Sequence, residues 1–160
     1  RAPLYRIEAA ADLPDAVLAE MDGVVAAVHY RLDLPVEKQT VRVLKALDNR
    51  RVRILAHPTT RLINERPKFA ARMEKIFPAA AERDVALEIN AHPDRLDLDD
   101  IHARAAHDAG CKLVISTDAH SVAGLANMRF GVDQARRAWL SGKQVLNTLP
   151  PDELLRALRR

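Results

Sequence analysis

The chain has 160 residues, 48% hydrophobic, 29% charged and 4% aromatic, the composition of one folded domain that can bury a sizeable core. No apolar run reaches the roughly 18 residues of a membrane-spanning helix, Arg1-Ala2-Pro3-Leu4-Tyr5-Arg6 lacks the apolar stretch of a signal peptide, and a single cysteine, Cys111, excludes an intrachain disulfide. The expectation is a single domain over residues 1–160 in a reducing cytoplasm, without a membrane partner; a net charge of +3 suits a phosphate-bearing partner but is too small to demonstrate one.

In chain order, Val24–Val28 is the first of four short apolar runs with β-branched residues at or near their centres, and predicts a buried strand. Pro35 to Asp48 repeats apolar residues at Val36, Val43, Leu44 and Leu47, a helix with Pro35 suited to its first turn. Val52–Leu55 is the second strand. Phe69, Met73, Ile76, Phe77 and Ala80 form a stripe at helical spacing that Pro78 should kink or interrupt. Val85–Ile89 is the third strand. A helix over Asp99 to Ala109 follows, capped by Asp97 or Asp99 and stopped at Gly110. Leu113–Ser116 is the fourth strand. Ser121 to Trp139 reads as helical but broken near Gly124 and Gly131. A last helix after Pro150-Pro151 should bury Leu154, Leu155 and Leu158. Strands alternating with helices predict an α/β fold with a largely parallel sheet.

In such folds the loops after the strands gather on one face, where active sites sit. His29, His57, Asp118 and His120 all fall just after predicted strands. Imidazole nitrogen and carboxylate oxygen are ligands for zinc, manganese or iron. Asp118 and His120 are two apart, which on an extended segment turns both side chains to one side. Ala56-His57-Pro58 and Ala91-His92-Pro93 are an internal echo, two His-Pro turns opening onto the same face. His92 shares the strand-end geometry of His57, whereas His102 and His107 lie on a helix five residues apart and read as solvated; Cys111 reads as core. Arg61 and Arg95 follow strand ends and are candidate phosphate clamps, and Asn90, a polar residue ending a buried strand, points toward the site. No glycine-rich phosphate loop or Gly-x-Ser-x-Gly turn is present.

Val25-Ala26-Ala27-Val28-His29, Ile54-Leu55-Ala56-His57-Pro58-Thr59, Ala86-Leu87-Glu88-Ile89-Asn90-Ala91, Arg95-Leu96-Asp97-Leu98, Val114-Ile115-Ser116-Thr117-Asp118-Ala119-His120-Ser121, Asn127-Met128-Arg129-Phe130-Gly131 and Val145-Leu146-Asn147-Thr148 form an ordered set. In it the chain resembles the PHP (polymerase and histidinol phosphatase) family, and most of all the domain attached to bacterial family X DNA polymerases.

The resemblance implies a distorted TIM-like barrel of parallel strands with outer helices and up to three metal ions, zinc, manganese or iron, at the C-terminal ends of the strands. It implies that His29 and His57 hold one metal and that Asp118 and His120 hold neighbouring ones, with Asp118 and His120 as the catalytic pair. It implies phosphoester hydrolysis, on a DNA 3′ end in the polymerase-linked members and on small phosphomonoesters such as histidinol phosphate in others. The family opens with a His-x-His strand, yet no histidine precedes His29 here. Its bridging glutamate lies on an Ile-Glu strand, which Ile7-Glu8 offers closer to His29 than the family pattern; Glu8 is therefore carried as a candidate ligand. The expectation is a partial PHP barrel, about its second half, whose open edges favour self-association. A non-catalytic remnant acting as a scaffold or DNA-positioning domain is the alternative.

Overall fold

Five short strands lie side by side in one parallel sheet in the order β1 (Leu4–Arg6), β2 (Val24–Ala27), β3 (Val52–Leu55), β4 (Ala86–Asn90) and β5 (Leu113–Ser116). This is a computed structural model, which describes residues 4–6, as backbone, and 14–158. Each strand pairs with its predecessor in the chain, which is the winding of a barrel and not of a doubly wound sheet. The fold is a partial TIM-like barrel. Glu8 lies outside the described residues.

The helices are α1 (Asp15–Ala19), α2 (Val36–Leu47), α3 (Met73–Glu82), α4 (Asp100–Asp108), α5 (Met128–Arg137) and α6 (Pro151–Leu158). The apolar face of α2 buries Val43 and Leu47, α3 buries Ile76, Phe77 and Ala80, and α4 presents only the small Ala103 and Ala106 to the sheet. Leu55, Leu87, Ile89 and Leu113 meet them from the strands, each such side chain worth about 2 kcal/mol in transfer free energy. Cys111 is core as expected, with its thiol donating to the Phe77 carbonyl at 3.1 Å and pushed up to about 11 by burial. No helix among the described residues is long and apolar enough to cross a membrane.

Several expectations need correction. Pro78 lies inside α3 without interrupting it. Pro78 and Glu74 both face solvent, so water can meet the carbonyl that the missing N–H leaves free. Phe69 precedes that helix and is tied by its N–H to the Thr59 carbonyl at 2.9 Å. Gly131 does not break α5. A Cβ there would stand 2.4 Å from Ile115 Cγ2 and 2.8 Å from the Ala91 Cβ, so the glycine is needed for close approach of α5 to β4 and β5. The leucines of α6 are only partly covered, with Leu155 41% exposed. Asp99, not Asp97, caps α4, its side chain accepting from the His102 N–H. Nor is His102 simply solvated: its Nδ1 lies 2.8 Å from Asp99 Oδ1 and its ring meets Phe77 edge-on.

The outer edge of β5 is not open. Asn147 accepts the Ile115 N–H at 3.0 Å and donates to the Ile115 carbonyl at 2.9 Å, and Leu113 bridges to Val145. One side-chain amide thus takes the two backbone bonds that another strand would make.

Candidate active site at the strand ends

His29, His57, His92 and Asp118 each sit two residues past the last residue of β2, β3, β4 and β5. The parallel sheet therefore brings all four to its C-terminal edge. The backbone is bent there: Arg31, His57, Thr60, Leu96 and Asp118 have positive φ, a conformation that L-residues hold only where their surroundings impose it.

Arginine side chains impose much of it. Arg42 of α2 donates to the Tyr30 carbonyl at 2.8 Å, beside a Gln39 bond to the Arg31 carbonyl at 2.6 Å. Arg66 grips the Thr60 carbonyl at 3.0 and 2.7 Å. Arg61 donates to the carbonyls of Arg95 and Leu96, both at 2.5 Å. Nε and Nη2 are thus committed to backbone and Nη1 lies 3.5 Å from Asp99 Oδ2, so Arg61 is placed as a staple between the two His-Pro turns.

His57 is 4% exposed and its ring meets His29 edge-on at 5.1 Å between centroids. Burial, with the charges of Arg95 and His29, pushes it down to about 4, so the ring is neutral at pH 7, and its Nδ1 is buried without a hydrogen-bond partner. Arg95 donates from Nε to Asp118 Oδ2 at 3.1 Å, while its Nη1 is buried and unpartnered. Burial pushes Asp118 up, but a hydrogen bond from Asn90 and the charges of His57, Arg95 and His120 hold it below the usual carboxylate range. His29 and His120 are exposed at the rim.

The strand-alternation argument for Asp118 and His120 does not hold. β5 ends at Ser116 and Asp118 takes φ 51°, so a turn brings the pair together, with His120 Nδ1 2.8 Å from the Asp118 carbonyl oxygen. Asn90 is fully buried beneath the site, its amide donating to Glu88 at 3.2 Å and its oxygen accepting the His92 N–H at 3.0 Å. It supports neighbouring groups from below.

Sequence reasoning missed Glu88. It is 6% exposed and accepts from His57 N–H at 2.5 Å, from Asn90 and from Ser116. A charged residue inside the apolar run Ala86-Leu87-Glu88-Ile89 was the available signal. Asp97 was missed as well. It is fully buried, accepts the Thr59 N–H at 3.2 and 3.0 Å and is pushed up to about 6 by burial, against hydrogen bonds from Thr59 and the Arg61 charge.

The donors suit a transition metal in kind: a neutral imidazole with a free buried nitrogen, a second imidazole against it and an ionised carboxylate. Among the described residues no three histidine, cysteine, aspartate or glutamate side chains converge on a point that could hold an ion.

No family model matches the chain. The DNA polymerase/3′-5′ exonuclease PolX of Bacillus subtilis (strain 168) is 43% identical over 136 residues, covering 85% of this chain and 24% of that protein, in its C-terminal part. This match and two others bear out the resemblance to the PHP family. Two proteins named probable phosphatases, from Thermoanaerobacter sp. (strain X514) and Edwardsiella ictaluri (strain 93-146), are 26% and 29% identical over 146 and 147 residues. Those matches cover 86% and 87% of this chain and 57% and 58% of the phosphatases. It thus spans about a quarter of PolX and little more than half of either phosphatase.

Proposed function

We propose that this chain carries part of a metal-dependent phosphoesterase site. The carrying observation is the meeting of His57, Arg95 and Asp118 at the strand ends, one neutral with a free nitrogen, one with a free donor and one ionised. His29, His57, Asp118 and His120 would hold zinc, manganese or iron, with Glu8 as a further ligand. When bound, the metal supplies a water of lowered pKa and neutralises charge on the phosphoryl oxygens. Asp118 would orient that water. The free Nη1 of Arg95 addresses a non-bridging phosphate oxygen, a role Arg61 is too committed to share. The reading extends to a cytoplasmic protein that self-associates through the β1 edge, because Asn147 closes the β5 edge.

The names of PolX and of the probable phosphatases support two substrate classes, a DNA 3′ end and a small phosphomonoester. A second reading, a non-catalytic scaffold or DNA-positioning domain, draws on the lack of a three-ligand cluster among the described residues. Metal analysis of the purified chain separates them. Bound transition metal that is lost in Asp118→Ala, with hydrolysis of an aryl phosphate in added Mn²⁺, is the expected result. No bound metal and no hydrolysis would leave the scaffold. An active chain is then given a single-stranded DNA 3′ end beside a phosphomonoester to decide the class.

A further inference from the structure

Glu88 sits at the centre of β4, where every residue is buried. Burying a carboxylate carries a heavy desolvation penalty, and an apolar side chain in the same place would carry none. Three donors offset it. Oε2 takes the His57 N–H at 2.5 Å and the Asn90 amide at 3.2 Å, and Oε1 takes the Ser116 hydroxyl. Three of the carboxylate's roughly four acceptor sites are thus occupied by the protein.

The network joins the groups on either side of β4. Across β3, the bond to the His57 N–H fixes a residue at φ 29°, outside the regions an L-residue adopts freely. Across β5, the Ser116 hydroxyl anchors the same carboxylate to the last residue of the strand that delivers Asp118. Asn90 also turns its oxygen to the His92 N–H. One buried acid is therefore bonded to the turn after β3, through one amide to the turn after β4, and to the end of β5.

We propose that Glu88 is the positioning residue of this site, clamping the His57 turn and, through Ser116, the end of the strand that carries Asp118 into one frame. Its consequence for chemistry rests on the phosphoesterase reading, whereas the clamp itself does not.

The test compares the full chain with Glu88→Gln and Glu88→Leu by hydrogen exchange at the His57 amide, Mn²⁺ binding and urea midpoint. Glutamine keeps an oxygen for the His57 N–H and turns its amide to Ser116, whose hydroxyl accepts as readily as it donates. Expected is His57 exchange within about threefold of wild type for Glu88→Gln and about tenfold or more faster for Glu88→Leu. Mn²⁺ binding should weaken about tenfold or more in Glu88→Leu and recover in Glu88→Gln. Glu88→Asp keeps the charge but falls one methylene short; it should also free the His57 amide, and it serves if the leucine variant does not fold. Wild-type exchange at His57 in Glu88→Leu or Glu88→Asp, or a glutamine variant that behaves like the leucine one, overturns the clamp. A wild-type chain that binds no Mn²⁺ sinks the phosphoesterase reading, and the exchange measurement still judges Glu88.

Discussion

The two His-Pro turns begin with the same three residues and end differently. His57 is buried, its N–H held by the Glu88 carboxylate and its φ positive. His92 is half-buried, its N–H held by the neutral Asn90 oxygen, and its Nδ1 faces the Asp94 N–H at 3.3 Å. Both acceptors come from β4, two residues apart on one face of the strand. The repeat says that two loops open on one face. The acceptor beneath each histidine decides which ring turns into the site.

The largest test of that contrast is replacement of each histidine in turn. His57→Ala should lower Mn²⁺-supported hydrolysis of an aryl phosphate by about 1,000-fold, or ~4 kcal/mol, with His92→Ala within about threefold of wild type. Equal losses would erase the distinction.

Titration sharpens it further. His57 is pushed from 6.5 to about 4 in the fold, so between these values the unfolded chain binds more protons and stability falls as pH drops from 6.5 toward 4. Asp97, which closes the second turn, is pushed from 3.8 to about 6. There the folded chain binds more protons, and stability falls as pH rises from 3.8 toward 6. Each slope amounts to about 3 kcal/mol and the two oppose. In chelator-treated protein, Asp97→Asn should unmask stability rising with pH over this window, and His57→Gln stability falling with pH. Urea midpoints across the window decide it, and parallel profiles for the two variants would refute the opposition.

Gly131 lies against Ala91, the residue that opens the second turn. Gly131→Ala should lower stability by about 2 kcal/mol in urea denaturation, since both contacts are with buried groups. Smallest is Arg61→Met, which frees the carbonyls of Arg95 and Leu96 and should lower stability by about 1 kcal/mol, read the same way.

Four of the five strands were legible because apolar runs such as Leu113–Ser116 admit few other structures, and their parallel order followed from alternation with helices; β1, Leu4–Arg6, was not foreseen. His29, His57 and Asp118 were legible because a parallel sheet must deliver its strand ends to one edge. Glu88 was less so. Its donors lie 2, 28 and 31 positions away in the chain, and no local pattern announces such partners. Pro78 and Gly131 misled for a related reason: each obeys the local rule for helix breaking until exposure in one case and close packing in the other overrides it. Arg61 read as a phosphate clamp because position after a strand cannot tell a free guanidinium from one already bonded to carbonyls.

The Asn147 amide has a chemical lifetime. Its nitrogen faces the Ile115 carbonyl and its oxygen the Ile115 N–H, an arrangement that only a carboxamide satisfies. Hydrolysis to aspartate would set an anionic oxygen against that carbonyl and release the last strand of the sheet to pair with another chain. Slow ageing at one side chain would thus surface as a change in solubility.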